Sequence, residues 1–432
     1  MSLTLPLLAA ITAALAWNLE RPVYRHKWGH ALSFVFGWLV GELAPFVVAV
    51  EVLLVLAALA GEGLSGVVDT LSLLVLLISW GVMLRHYSGG GDAALIIEQA
   101  LCRALGDDYR QRISPALSAR FPLAVLPSVL ARPFRLDLPE VTRVKDIQYA
   151  EEQGIRLCLD IYHRDDMPRG CPVLFQIHGG GWTEKLGSKN EQARPLMNHM
   201  AARGWVCVSV DYRLSPTATF PAHIIDCKRA LAWVRENVSR WGGDPTFIVA
   251  TGGSAGGHLS SLLALSANDP AWQPGFEGVD TRVQGCVPFY GVYDFTERSG
   301  LKQNRVLFEA LESSIMKTPY AAAPDAYAQA SPLSRVHADA PPFLVIHGDR
   351  DSLCPVAEAK LFARTLAEVS ESPVAYAEIP GAQHAFDIFR SLRSELVMHG
   401  VERFLAHLHT ARLASMRPEQ GATDSSGGSL RS

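Results

Sequence analysis

Apolar positions come in two different rhythms along this chain, and the change falls near residue 141. Before it, three long apolar stretches dominate: Leu3–Trp17, Ala31–Ala60 and Leu64–Leu84. A transmembrane helix requires about 20 apolar residues, so the second and third are long enough and the first is marginal. Pro45 is a candidate kink or hairpin point in the second stretch. Glu42, Glu51 and Asp69 are acidic exceptions, which such helices turn toward other helices or the interface. The first stretch lacks the basic leading segment of a cleaved signal peptide. After residue 141 short apolar strands alternate with amphipathic helices. Ile147–Tyr149 and Ile155–Tyr162 predict a hairpin. Pro172–Ile177, Val206–Val210, Phe247–Thr251, Val283–Phe289, Pro342–His347 and Val374–Ile379 predict further strands. Between them, 190–202, 221–239, 255–266, 356–368 and 394–407 predict helices. This alternation predicts an α/β fold, a mainly parallel sheet covered by helices on both faces, preceded by a membrane-spanning helical region.

The expected domain boundaries follow from these rhythms. Residues 1–85 form the membrane helices and 86–140 a connector, with a flexible break at the glycines 89–91 and an amphipathic helix over 92–105. Residues 141–412 form the α/β unit, in which 295–336 is an insertion expected to cap the pocket. Residues 413–432, rich in Ser and Gly, read as a disordered tail. The basic residues Arg21, Arg25 and Lys27, with Arg85 and Arg103 after the third stretch, place the α/β unit on the cytoplasmic side of the membrane, with three spans.

Composition narrows the function classes. Hydrophobic residues make up 49% of the chain, in keeping with contact with membrane lipids. A net charge of −4 without a basic stripe argues against nucleic acid as a partner. The seven cysteines are scattered and lack C-x-x-C spacing, which fits neither a disulfide framework nor a zinc site. Oligomeric state is not legible.

The chemistry sits at the ends of predicted strands, where open α/β sheets bind ligands. Gly252-Gly253-Ser254-Ala255-Gly256 lies at a strand-to-helix switch and matches the G-x-S-x-G nucleophile elbow. His178-Gly179-Gly180-Gly181-Trp182 follows the strand ending at Ile177. Consecutive glycines there let backbone amides approach an oxygen that becomes negative. Asp349 and Asp351 follow the strand ending at His347, and His384 follows the last strand. The order Ser254, Asp351, His384 is that of a hydrolase triad of this architecture. Serine is a weak nucleophile unless a base takes its proton, and an imidazole base needs a carboxylate to fix its tautomer. Asp351 is preferred over Asp349 because it lies further out on the loop, where Asp349 is suited to ordering the turn. His178, His258 and His347 read as packing residues.

Residues 142–410 resemble the hormone-sensitive-lipase-like esterases among the α/β hydrolases, and share features with the feruloyl/acetyl-esterase and arylformamidase branch. The resemblance rests on 178–182, on Asp211-Tyr212-Arg213-Leu214-Ser215-Pro216, on 221–226, 252–257, 347–351 and 381–384. With the apolar front it is similar to the membrane-associated Lip-type esterases of mycobacteria, the LipM-like branch in particular. It implies Ser254 as nucleophile, Asp351 as acid and His384 as base. It also implies an oxyanion hole from the amides of Gly180, Gly181 and Ala255, an ester or lipid substrate, and neither metal nor organic cofactor. Gly253 departs from the pattern, which has an acidic or amide residue there to brace the elbow. Amidase, arylformamidase or acyltransferase chemistry on the same triad, and a non-catalytic binding protein of this shell, are the alternatives.

Overall fold

A computed structural model describes residues 3–24, 29–64, 66–166, 169–296 and 305–416. The expected tail lies outside these residues from 417 onward. Helices α1 (Thr4–Glu20), α2 (Gly29–Glu62) and α3 (Val67–Gly89) pack together as a bundle. Two of its stretches, Gly29–Gly61 and Val67–Leu105, are long and apolar enough to cross a membrane. Large apolar side chains such as Leu7, Leu54 and Ile78 face outward from it. α2 is one kinked helix, with Leu43 off helical geometry at φ −118° and ψ 18°. Pro45 causes the bend, since it cannot donate to the carbonyl at 41 and its ring crowds that group.

The expected flexible break at the glycines does not occur. α3 runs through Gly89, a 3₁₀ turn spans Gly90–Asp92, and α4 (Ala93–Leu105) continues at once. Gly90 is buried against Arg393, and Ile97, Ala100, Leu101 and Leu105 of α4 are buried in the core of the α/β unit. Packing therefore holds the glycines helical, and the first part of the connector belongs to the catalytic layer rather than to a linker. Single turns α5 (Pro115–Ser118) and α6 (Pro127–Leu130) punctuate the remainder of the connector, each opened by a proline at its first position.

Eight strands form one sheet: β1 (Thr142–Glu152), β2 (Ile155–His163), β3 (Cys171–Ile177), β4 (Val206–Val210), β5 (Gly243–Gly253), β6 (Cys286–Phe289), β7 (Phe343–Gly348) and β8 (Val374–Ile379). Their order is β1-β2-β4-β3-β5-β6-β7-β8, with β1, β2 and β4 paired antiparallel and the remainder parallel. Every residue of β3 is buried, as expected of a strand covered on both faces. Helices α7 (Arg194–Ala202), α8 (Ala222–Asn237), α9 (Ala255–Ala264), α10 (Arg305–Ala310), α11 (Pro324–Ala330), α12 (Val356–Val369) and α13 (Leu392–Ser415) complete the chain. Val173 and Phe175 join the core under α8, α9 and α12, whereas Leu174 joins the core under α4, α7 and α13. The swap of β3 and β4 in the strand order makes β3 the neighbour of β5, with Ile177 paired to Gly252. That register sets the glycine loop after β3 beside the serine after β5.

Candidate active site

Ser254 sits between β5 and α9 with φ 58° and ψ −122°, a conformation rarely adopted by residues other than glycine. Its amide donates to the Phe289 carbonyl at 3.0 Å, which fixes the turn against β6. The helix behind it can approach only because Gly256 lacks a Cβ, which would lie 2.0 Å from the Ile177 carbonyl oxygen. Gly180 carries φ 110°, and a Cβ there would lie 1.5 Å from the Leu186 carbonyl oxygen. Among the described residues the amides of Gly180 and Gly181 have no protein acceptor. The amide of Ala255 opens α9, where a helix has no internal acceptor for it.

His384 and Asp351 meet. The His384 Nδ1 lies 2.7 Å from Asp351 Oδ2, so the ring donates there and leaves Nε2 for the cavity. The other Asp351 oxygen, Oδ1, accepts from the amides of Leu353 and Cys354 at 2.9 and 2.8 Å. His347 adds a second imidazole, its Nε2 being 3.2 Å from Asp351 Oδ2 and 3.0 Å from the Cys354 carbonyl oxygen. Burial pushes the Asp351 carboxyl up, but the His384 and His347 rings outweigh it and hold it well below the usual carboxylate range. Asp349 faces elsewhere and accepts from the Gly381 amide at 2.7 Å, ordering the loop that carries His384. Gln383 joins the acid and base loops by accepting from the amides of Ser352 and His384 at 2.7 and 3.0 Å.

Ser254 and His384 line one cavity of about 380 Å³, together with Gly180, Gly181, Tyr290 and Leu186. No hydrogen bond joins the Ser254 hydroxyl to the His384 ring among the described residues. Val306, Leu307 and Ala310 of the 295–336 insertion line the same space. A larger surface groove of about 730 Å³, lined by Tyr149, Arg229, Trp233 and Phe276, lies by the β1 edge, away from these groups.

The glycine loop is anchored from behind. Trp182 Nε1 donates to His258 Nδ1 at 3.2 Å, and His258 Nε2 donates to the Ala330 carbonyl at 2.7 Å. Burial lowers the His258 pKa to about 4, which keeps the ring neutral and able to accept from Trp182. His178 stacks on Tyr212 at 4.5 Å between ring centroids and is not among the described residues that line the cavity.

Three contributions were not visible in the sequence. Tyr290 follows β6, lies 4.6 Å from the His384 ring centroid and donates to Asp387. A polar aromatic just past a parallel strand, and an acid three residues beyond the candidate base, are the signals that point to this pair. His347 could have been suspected from its place four residues before Asp351. His30 and Phe34 of α2 also line the cavity, and nothing local announces that.

This sheet order, the strained serine after β5 and the hydrogen-bonded Asp351–His384 pair after β7 and β8 match an α/β hydrolase. A family model described as BD-FAE matches residues 159–366. LipM of Mycobacterium tuberculosis, named as a probable carboxylic ester hydrolase, is 43% identical over 414 residues, covering 95% of this chain and 94% of its own. The esterase LipQ of the same organism is 42% identical, covering 74% of this chain and 76% of its own. Among solved structures, the thermophilic esterase Est2 of Thermogutta terrifontis with butyrate bound superposes with a TM-score of 0.51 at 25% identity, covering 65% of this chain and 97% of that one. The chain belongs to the hormone-sensitive-lipase-like α/β-hydrolase family that contains LipM and LipQ.

Proposed function

We propose that the protein is a membrane-associated serine carboxylesterase working through an acyl-serine intermediate. The observation that carries this reading is the strained Ser254 sharing a cavity with a His384 ring already oriented by Asp351. Ser254 Oγ attacks the ester carbonyl carbon while His384 Nε2 takes its proton. The resulting oxyanion rests on the amides of Gly180, Gly181 and Ala255. The carbon–oxygen bond to the alcohol then breaks, and His384 returns the proton to the leaving alkoxide. Water repeats the sequence on the acyl-enzyme and releases the acid. The serine–histidine hydrogen bond that this requires often forms only when substrate is bound. A fluorophosphonate probe is expected to label Ser254, and Ser254→Ala to lose both labelling and turnover of 4-nitrophenyl butyrate. Turnover surviving in that variant would remove the reading. Asp351→Asn is expected to lower kcat by about 10³- to 10⁴-fold, in line with loss of the correct tautomer. Asp349→Asn is expected to cost far less; the reverse ranking would make Asp349 the acid. A butyranilide or an N-formyl arylamine turned over faster than any ester would favour amidase or arylformamidase chemistry.

We place α1–α3 in the bilayer. The end of α1, the start of α2 and the end of α3 all contact the catalytic unit: Arg350 donates to the Glu20 carbonyl at 2.6 Å, Ser352 to the His30 carbonyl at 3.3 Å, and His86 Nε2 pairs with the Gly381 carbonyl at 3.0 Å. Arg21, directly after α1, thus shares a side with the catalytic unit, which the positive-inside rule assigns to the cytoplasm. Full-length protein is expected to stay in the membrane pellet after alkaline carbonate extraction; release into the supernatant would count against this placement.

A further inference from the structure

We infer that α2 is a working wall of the active site and that the substrate is an ester drawn directly from a lipid layer, its apolar chain lying against Phe34. This deepens the esterase reading above and rests on it.

Three observations converge. First, the wall is made by the apolar front of the chain itself. The Phe34 ring meets the His384 ring edge-on at 5.9 Å between centroids, and His30, one turn earlier, lines the same cavity. Second, the cavity lining is largely apolar, with His30, Gln192 and Tyr290 the polar side chains beside Ser254 and His384. Phe34, Leu186, Val292, Val306, Leu307 and Ile388 surround Ser254, and no Asp, Glu, Lys or Arg is found among the described lining residues. Such a space suits a hydrocarbon chain and offers no charged partner to an ionised acyl group.

Third, the outer side of the same helical turns faces outward with large apolar side chains. Leu32 is 58% exposed, and Val35 and Phe36 flank Phe34 on the exposed side. A helix with its side chains is about 10 Å across, so that is the order of the distance from lipid to nucleophile. The apolar surface continues off the helix: Trp38 stacks on Phe389 at 4.8 Å, Phe389 meets Phe134 edge-on at 5.5 Å, and Phe134 is 68% exposed. Leu123 and Leu126, on the same segment as Phe134, are exposed as well, as is Leu186 at the cavity. Beyond the kink, Ala44–Glu62 of α2 spans roughly 28 Å at 1.5 Å per residue, close to the hydrocarbon thickness of a bilayer. The half before the kink is therefore the part at the lipid boundary, where the cavity lies. An ester partitioned into the outer hydrocarbon can slide past Phe34 without first crossing water.

The test uses the full chain in dodecyl maltoside mixed micelles with phosphatidylcholine, and 4-nitrophenyl acetate and decanoate as probes. Phe34→Trp, which narrows the wall, is expected to lower the decanoate-to-acetate ratio of kcat/KM about tenfold, and Phe34→Leu to leave the ratio between those of Trp and wild type or above it. Fluorophosphonate labelling of Ser254 in each variant shows that the acid–base machinery is assembled. A Phe34→Trp ratio within twofold of wild type, in protein that still labels, would overturn the inference. In a second arm, 4-nitrophenyl palmitate, which exchanges slowly between bilayers, is placed either in the phosphatidylcholine vesicles that carry the full-length protein or in separate vesicles. Turnover at least tenfold faster from the shared vesicles supports the inference; equal rates show uptake through water and overturn it. Turnover retained by Ser254→Ala would instead remove the esterase reading, and with it this one.

Discussion

A side chain at Gly253 would meet Tyr290, which already fills the space. A Cβ at 253 would lie 2.7 Å from the Tyr290 hydroxyl and 3.0 Å from its ring carbon Cζ. The tyrosine takes over the brace from the opposite strand. It packs on His384 and donates to Asp387, whose carboxyl burial pushes up despite that hydrogen bond. An acidic side chain there should therefore harm this enzyme. Gly253→Asp is expected to lower kcat/KM at least tenfold, because overpacking at a closed site forces the neighbours apart. Tyr290→Ala placed on top of it should recover part of that loss, since the two share one volume. A double variant no better than Gly253→Asp alone would show that space is not the issue. Tyr290→Phe isolates the hydrogen bond: it leaves Asp387 buried without its donor, a loss of about 1–3 kcal/mol in stability. Because the ring still packs on His384, kcat is expected to fall more than KM changes, and stopped kinetics on 4-nitrophenyl butyrate separate the two.

At the level of elements, the junction between α2 and the start of α13 holds the bundle to the catalytic unit. Arg393 pairs with Glu42 and donates to the Pro380 carbonyl at 3.0 Å, and the Ser391 hydroxyl donates to Glu42 at 2.5 Å. Ser391 also caps α13 through the Ser394 amide, so one short segment serves both helices. Removing one partner of a buried pair leaves the other charge stranded, a loss of about 3–5 kcal/mol. Glu42→Ala should therefore lower the thermal midpoint in detergent sharply, and Glu42→Ala with Arg393→Met should return most of it. Equal midpoints for the single and double variants would mean that the pair does not hold the junction. Deleting residues 1–85 exposes this junction and opens the cavity at Phe34, and turnover of 4-nitrophenyl butyrate should fall by more than tenfold. Unchanged turnover would make the bundle a tether only. These contacts explain how much was readable from sequence. The strands, the elbow and the glycine loop are local patterns of a few residues, and their strand-end positions follow from alternation alone. Glu51 pairs with Trp80 of α3 at 2.6 Å, the helix-to-helix partner expected of an acid in a span. Glu42 looked identical in the sequence, yet its partner lies 351 positions away in the catalytic unit. Nothing local distinguishes the two. For the same reason the glycines 89–91 promised a break, whereas Gly90 packs under Arg393 and the run stays helical.

Across the whole molecule, burial holds an unusual share of the histidines neutral. His178, His223, His258, His399, His407 and His409 all have lowered pKa values with burial as the leading cause, His258 to about 4 and His223 to about 3. An unfolded histidine takes up its proton near pH 6.5, so between that pH and the lowered folded values the unfolded chain binds more protons. Their contribution to stability is thus complete above pH 6.5 and is lost as pH falls toward 4 and below. Asp351 acts in the same direction at lower pH, since its folded carboxyl is held down. Glu358 opposes them: buried, with its pKa raised to about 7, it favours the folded state as pH falls from 7 to about 4.5, and Asp226, Asp349 and Asp387, also raised by burial, act in the same sense. Six lowered histidines against these four raised carboxyls leave the net slope acid-sensitive. His258 alone accounts for about 3 kcal/mol on full titration. Its protonation also removes the acceptor for the Trp182 indole, so acid should loosen the glycine loop as well as the fold. The thermal midpoint of the full-length protein in detergent is expected to fall steadily from pH 7 to pH 4.5. His258→Gln, which keeps a hydrogen-bonding amide but cannot titrate, should be less stable than wild type at pH 7 and show a shallower slope. A midpoint independent of pH over that range, or an equal slope in the variant, would mean that these buried rings are not what makes the enzyme sensitive to acid.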